Sequence, residues 1–400
     1  MALITIDEPR VTGNPGKSFG DHPVFRLGFR PFYLLAALFA AVSIPLWLAA
    51  YSGVSLPHLR IDINWHMHEM VHGFAIAVII GFLYTAGRNW TGLWTPKGKH
   101  LAALAGLWLA GRGAMLFLPP LPAAVVDVAF LPLAAWPLYR VLARAGNKRN
   151  MFLIGLLALL SLLNFAFHGA RIGWLDISTI KPIHASLFVI VVIESVIGGR
   201  VIPGFTANAL PGVKPHVSEK LDRICLGFTA AACIGWVAGA SGPLMFGLGL
   251  SASCAQLFRL IGWKPHRTVR KPLLWILHLS YAWIAAGFFL LALAGIHAVS
   301  ASAAVHVLVI GSMAGLIIGM ITRTALGHTG RKLETGWAEP VMYLLLQAGV
   351  VARLVAAIDA LQLREPALGM AAACWSAAFL LYVVSYGPFL MRPRTDGREG

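Results

Sequence analysis

Charge is what this 400-residue sequence has least of: Asp, Glu, Lys and Arg together make up 12% of it, about half the share of an ordinary soluble domain. With 58% of residues hydrophobic, neither a soluble globule nor a disordered chain is compatible with that composition. Cysteine is nearly as scarce. Cys225, Cys233, Cys254 and Cys374 form no C-x-x-C pair, which excludes a zinc ribbon and a disulfide framework and leaves buried apolar thiols as the expectation. Alternating strand patterns are missing, so a β-barrel is excluded. Residues 1–26 lack a basic start followed by an apolar run and a small-residue cleavage site, so no removable signal peptide is expected and the first helix serves as the anchor.

Long apolar runs, by contrast, are abundant. Twelve stretches can each cross a bilayer: 27–50, 65–87, 101–118, 121–143, 150–169, 182–202, 222–241, 243–261, 272–294, 299–322, 338–360 and 366–390. Stretches such as 101–110 and 153–163 are apolar on every side, which suits helices in lipid. The expected fold is all-α, a polytopic bundle of 12 transmembrane helices, with an N-terminal arm (1–26), a membrane domain (27–391) and a tail (392–400). The segment from Arg200 to Leu221, with Pro203, Pro211 and Pro215, reads as the longest connection.

The side on which cations accumulate sets the orientation. Of the 32 Lys and Arg, 26 fall in the arm, the tail and the connections after the even-numbered helices. Both termini are therefore expected on the cytoplasmic side, and the basic excess reflects membrane topology rather than nucleic-acid binding; the partner it implies is membrane lipid.

Ionisable groups inside a bilayer cost several kcal/mol and ask for a partner or a purpose. Under this topology His66, His68, His72, His168, His184, His297 and His306 all lie in or beside the outer half of the membrane. The densest piece is Trp65-His66-Met67-His68-Glu69-Met70-Val71-His72. His68 and His72, four residues apart, stack on one helix face, while His66 points away unless the first turn unwinds. Imidazole beside thioether suits copper, and a neutral imidazole nitrogen is the usual axial ligand of haem b. His66, His68, His72, His168, His184 and His306 are thus candidate metal ligands. Glu69 either orients a ligating imidazole or donates a proton, and Glu194, near the middle of the sixth stretch, belongs to a proton path or to a helix contact. Arg112 and Asp127 read as a structural ion pair, Arg353 as a partner for a haem propionate, and His278 as a satisfied core histidine.

Spans four apart also look alike. His72 precedes Arg88 by 16 residues, His184 precedes Arg200 by 16, and His306 precedes Arg323 by 17, so the chain parses as three similar four-helix units. Pro45, Pro132 and Pro137 are too few and ill matched for the broken helices of a secondary transporter.

Several separated motifs in one order, Gly28-Phe29-Arg30-Pro31-Phe32, Trp65-His66-x-His68-Glu69-Met70, Asn89-Trp90-Thr91-Gly92, Gly198-Gly199-Arg200-Val201-Ile202-Pro203 with Phe205-Thr206, and Arg323-x-x-Leu326-Gly327-His328-Thr329-Gly330-Arg331, resemble the NnrS family of haem- and copper-containing bacterial membrane proteins. The resemblance implies a twelve-span protein of the bacterial inner membrane, linked to denitrification or nitrosative stress, that binds haem b and copper and handles nitric oxide. A more distant likeness in architecture is to the catalytic subunit of haem-copper oxidases and nitric oxide reductases, although the 222–241 stretch has no histidine where that subunit carries a copper-binding pair. Two functions follow as expectations. One is a nitric oxide reductase-like oxidoreductase, with the gas bound at a His-held metal and Glu69 or Glu194 supplying protons. The other is a non-catalytic haem or copper sensor, carrier or protective protein.

Overall fold

A computed structural model describes residues 19–359 and 362–399. Arg10 and Lys17 of the arm, position 360 at the end of the eleventh stretch and Gly400 of the tail lie outside the described residues. The described chain is all-helical. Its long helices are α1 (Phe29–Tyr51), α2 (Ile63–Thr91), α3 (Gly98–Phe117), α4 (Pro120–Arg144), α5 (Lys148–Arg171) and α6 (Ile180–Ala209), then α7 (Glu219–Val237), α8 (Gly242–Gly262), α9 (Pro272–Gly295), α10 (Ala301–His328), α11 (Ala338–Ile358) and α12 (Arg364–Met391).

Eleven of these are long and apolar enough to cross a membrane. The exception is α7, where Glu219, Lys220, Asp222 and Arg223 crowd the first turn, so the seventh of the twelve expected spans does not meet that standard. Apolar side chains also point outward: Val125, Trp136, Leu162 and Ile234 are exposed, a pattern that suits lipid and not water. The chain is a multi-pass membrane protein.

Helix boundaries follow from caps. Asp62 accepts the Trp65 N–H at 2.7 Å to start α2, and Ser300 accepts the Ala303 N–H at 3.2 Å to start α10. Gly92, in the left-handed region at φ 71°, ends α2 by donating its N–H to Arg88 O, which accounts for the glycine of Asn89-Trp90-Thr91-Gly92. The expected connection at Arg200 is instead helix: α6 runs through Pro203 to Ala209, because a proline costs a membrane helix one hydrogen bond and neighbouring groups can make good the loss.

Two helices change pitch. In α2 the segment Glu69–Ala75 is a π-helix, with the Ile76 N–H reaching Val71 O five residues back, and in α10 the segment Val307–Ala314 is likewise π-helical. Each begins one residue after a histidine, His68 in α2 and His306 in α10, and the fifth residue of each is a glycine, Gly73 or Gly311. α2 and α10 thus share a local feature in which His306 corresponds to His68 and not to His72. Such turns cluster at functional sites.

The fold divides into two compact units. The first comprises Met1–Ser186, Ile321–Leu333 and Phe379–Gly400, and the second Leu187–Met320 and Glu334–Ala378. In the first, the motif residues at one end of the helices act as joints. Arg30 donates to Leu390 O at 2.9 Å and Arg392 O at 2.7 Å, closing the carbonyl end of α12. Arg394 donates to His328 O at 3.1 Å, and the Thr395 hydroxyl donates to Gly330 O at 2.8 Å, so the tail is latched to the end of α10. Arg394 also holds Asp396 through two hydrogen bonds, which keep that carboxyl well below the usual carboxylate range.

In the second unit the Arg259 guanidinium on α8 ties four helices together. It meets Asp222 of α7 at 2.8 Å, the Ser195 carbonyl of α6 at 2.8 Å and the Tyr281 hydroxyl of α9 at 2.9 Å. Gly198 and Gly199 of the Gly-Gly-Arg motif lie against Tyr281 and Arg259, where a methyl group would collide. Asp222 therefore enters α7 as the partner of a buried cation.

Candidate metal centre

The first unit buries an unusual number of polar side chains in one place. His68, Glu69, His72, Arg112, Asp127, Asn164 and His168 are each at most 5% exposed, and they come from α2, α3, α4 and α5. Helix pairing brings them there: α3 with α4, and α4 with α5, are antiparallel neighbours joined by connections of two or three residues, so Arg112 meets Asp127 and Asp127 meets Asn164 and His168.

Arg112 organises the cluster. Its Nη1 donates to Glu69 Oε2 at 2.5 Å and its Nη2 to Asp127 Oδ1, taking the outer oxygen of each carboxylate. The inner oxygens are left facing His68. Glu69 Oε1 lies 3.0 Å from His68 Nδ1, and Asp127 Oδ2 lies 3.1 Å from His68 Nε2, 3.0 Å from His168 Nε2 and 2.8 Å from Asn164 Nδ2. Asn164 Oδ1 faces the same His68 Nε2 at 2.9 Å. Both ring nitrogens of His68 therefore look at acceptors, and two carboxylates stand against one guanidinium. A buried group of that make-up needs one more positive centre, either a second ring proton on His68 or a metal ion.

The aromatic surroundings fix the rings. His68 stacks on Phe167 at 4.8 Å and on His72 at 5.2 Å. The Ser186 hydroxyl donates to Pro182 O at 2.8 Å, so it is His72 Nε2–H that donates to Ser186 Oγ at 3.1 Å. The π-helical segment makes room for Arg112: a methyl group on Gly73 would stand 2.7 Å from both Arg112 Nη1 and Glu69 Oε2, and Trp108 Nε1 donates to the Gly73 carbonyl at 3.0 Å.

Three of the donors, His68, Asp127 and His168, have ligand atoms all within 4.8 Å of one another, the spacing of groups that share one ion. Sequence reasoning named His68 and His168 but read Asp127 as a structural partner of Arg112 alone. That ion pair is present, and the other oxygen of Asp127 is the centre of the cluster. The available signal was that Asp127 lies 17 residues before the end of α4 while Asn164 and His168 lie 16 and 20 residues after the start of α5, within one turn of the same level. The remaining expected residues lie elsewhere. His66 stacks on Trp47 at 4.8 Å, turned from the cluster as its place in the first turn requires. His184 is half-buried in the first turns of α6, ahead of Ser186. His297 holds a left-handed turn between α9 and α10 at φ 62°.

The second unit carries His306, Arg353 and Glu194. His306 Nδ1 is 2.8 Å from Ser302 O, and since a carbonyl only accepts, Nδ1 holds the proton and Nε2 is the accepting nitrogen, with Arg353 Nη2 3.4 Å from it. Arg353 Nη2 donates to Ser302 Oγ at 2.9 Å and lies 3.3 Å from the same ring. Glu194 Oε2 accepts from the Ser312 hydroxyl of the π-helical segment at 3.0 Å. His278 has acceptor and hydroxyl partners in Leu274 O and Thr206 Oγ1, as a satisfied core histidine should. Cys225, Cys233 and Cys374 are buried, but Cys254 faces outward on α8, a position apolar enough for lipid.

The molecule is therefore a polytopic helical membrane protein with a closed His and carboxylate cluster of metal-binding make-up. Compared with known families, residues 23–394 match the family model described as NnrS protein, and the chain belongs to the NnrS family. No curated protein is similar enough to match.

Proposed function

We propose that this chain handles nitric oxide in the bacterial inner membrane, at a transition-metal centre formed by His68, Asp127 and His168, with both termini on the cytoplasmic side. The observation that carries the reading is the sealed cluster itself, in which two carboxylates, one guanidinium and two imidazoles converge and a further positive centre is wanted. Family membership supplies the link to nitric oxide.

The family also implies haem b and copper. Asp127 Oδ2 sits about one hydrogen-bond length from both His68 Nε2 and His168 Nε2, so these donors stand close enough to share one ion and too close to admit a porphyrin between them. Copper in its divalent state fits such nitrogen and oxygen donors. His306, whose Nδ1–H is held by a backbone carbonyl, would hold the haem iron, and Arg353, now on Ser302 Oγ and beside the same ring, would pair with a propionate. Bound there, haem would supply a redox-active iron with affinity for the gas. The chain's own residues do the rest. Arg112 and Glu69 fix the His68 ring, Phe167 and His72 exclude water from it, and Glu194 holds a carboxyl group beside Ser312 where a proton can be taken up or released. Glu69, with both oxygens engaged, serves to orient His68 and not to donate protons.

Enclosure of the cluster also favours a second reading, in which the metals bind the gas without consuming it. Visible spectra of the purified chain, oxidised, reduced and treated with nitric oxide, alongside elemental analysis and gas consumption by membranes, test both. His306→Ala should remove the Soret band and His68→Ala the bound ion. A spectrum and metal content unchanged in both variants would refute the assignment, and binding without consumption would select the second reading.

A further inference from the structure

In the second unit, two buried polar groups point at one spot that the proposed metal sites leave unused. Trp283 on α9 donates its Nε1–H to Gln347 Oε1 on α11 at 2.6 Å, and because an indole N–H only donates, this bond decides which end of the amide faces where. Gln347 therefore turns its NH2 group away from the indole. That nitrogen and Ser280 Oγ of α9 are both buried and, among the described residues, have no hydrogen-bond partner. Unmet buried donors are rare because they are costly, and polar groups that converge in this way are how a protein holds an internal water.

The spot lies beside Gly315 of α10. A methyl group on that glycine would collide with Ser280 Oγ and stand 3.6 Å from Gln347 Nε2, so the missing side chain is what opens the slot. Gly311, four residues earlier, makes the same allowance for the Trp283 ring. Between the two glycines comes Ser312, whose hydroxyl lies 2.7 Å from Leu308 O and 3.0 Å from Glu194 Oε2. One proton with two acceptors suits either state of the carboxyl: the hydroxyl donates to the carboxylate, or turns to Leu308 O and accepts from the acid. Ser312 and Gly315 are about 4.5 Å apart along the helix axis, a gap that a second water closes at ordinary hydrogen-bond lengths. These groups stand near the middles of α6, α9, α10 and α11, where a lone carboxylate is most costly and a proton route most needed.

We propose that Ser280 and Gln347 anchor a short water chain that passes protons to and from Glu194 by way of Ser312. A proton arriving on the chain bonds to Ser312 Oγ while the hydroxyl's own proton moves to Glu194 Oε2. One O–H bond forms for each that breaks, no electrons are transferred, and the carboxylate becomes the acid. Use of that proton in gas chemistry rests on the reading of Glu194 given under the proposed function.

The test is the rate at which the Glu194 carboxyl exchanges hydrogen for deuterium, read by infrared spectroscopy of the full chain in detergent after rapid dilution into D2O. The C=O band of the acid is assigned by its loss in Glu194→Gln. Ser280→Ala and Gln347→Met should each slow the deuterium shift of that band about 10-fold, the rate equivalent of one hydrogen bond lost from the chain, in protein that retains its helicity and elution volume. Gly204→Ala, on α6 with open space around it, should exchange at the wild-type rate. Ser280→Ala should also leave the unfolding midpoint at or below that of the wild type, since a hydroxyl with no water to meet would make alanine stabilising. Absence of a band that Glu194→Gln removes, wild-type exchange in both Ser280→Ala and Gln347→Met, or a raised midpoint in Ser280→Ala overturns the proposal. Nitric oxide binding and consumption by the wild-type chain are scored separately. If the gas is handled while exchange ignores the slot, the water chain falls and the nitric oxide reading stands; if exchange depends on the slot while the gas is neither bound nor consumed, that reading falls and the proton route stands alone.

Discussion

Replacing Gly73 by alanine sets two effects of opposite sign against each other, and the structure says which wins. In a helix interior, Gly→Ala ordinarily stabilises by about 0.5–1 kcal/mol, because glycine loses more backbone freedom on folding. At Gly73 the added methyl group would stand 2.7 Å from Arg112 Nη1 and 2.7 Å from Glu69 Oε2, distances that real methyl contacts do not reach. Neither atom is the loose end of a mobile chain: the guanidinium also holds Asp127, and the carboxylate also holds His68. Overpacking of this kind costs about 1–3 kcal/mol, and stretching a buried charge pair adds to that. The expected net effect is a loss of about 1–2 kcal/mol or more, a fall of roughly 2–8 °C in the unfolding midpoint. Gly106, on α3 with nothing within 4 Å of the place its methyl group would take, is the matched control and should gain from alanine. Thermal unfolding of the detergent-solubilised chain, followed by helix circular dichroism, measures both. If Gly73→Ala and Gly106→Ala shift the midpoint alike, the claim that Gly73 exists to seat the Arg112 and Glu69 pair is wrong.

Other consequences are equally open to measurement. Arg112→Met strands two buried carboxylates and should cost about 3–5 kcal/mol, whereas Arg112→Met with Glu69→Gln should cost clearly less than the sum of the single changes; additivity in the unfolding midpoints would show that the pair is not coupled. Gly199→Ala, pressed against the Arg259 guanidinium, should destabilise by about 1–3 kcal/mol, while Gly204→Ala on the same helix, with open space around it, should not. The Asp396 carboxyl is held below its ordinary range by Arg394, so its ionised form favours the latched tail. That contribution is complete at neutral pH and is lost as pH falls through the depressed range; proteolysis of the tail should accelerate on strong acidification, and Asp396→Asn should bring the faster cleavage to neutral pH.

Element positions were largely legible in the sequence because apolar runs of about 20 residues have few other uses. Two places escaped. Pro203 looked like a break, yet α6 continues through it, since a membrane helix has little to gain by exposing its backbone. The stretch 222–241 was read as a span from its apolar run alone, whereas the charged start of α7 includes Asp222, whose partner Arg259 comes from a different helix. The site was half legible. His68 and Glu69 announce themselves because ionisable groups in a bilayer need reasons, but which groups share a centre depends on the register between helices. Asp127 was read only in part for that reason: its pair with Arg112 is correctly inferred from proximity across one turn, and its contact with His168 requires the next turn as well. The π-helical segments have no compositional signature, so the pairing of His306 with His68 could be read only from the backbone.

Those wide turns have a further consequence. Each lodges one residue more than regular winding would, so the stretch beyond it is offset by about 100° from where an unbroken α-helix would have carried it. Deleting a single position within Glu69–Ala75 would heal the winding and leave the length of α2 from Ile76 to Thr91, Tyr84 and Arg88 included, facing the neighbours it has now, so the loss would be confined to the turn that seats His68, Glu69 and Arg112. A one-residue deletion elsewhere in α2 or α10 would instead rotate everything beyond it by about 100°, so the wide turns are the places where these helices can lose a residue and keep their far ends in register.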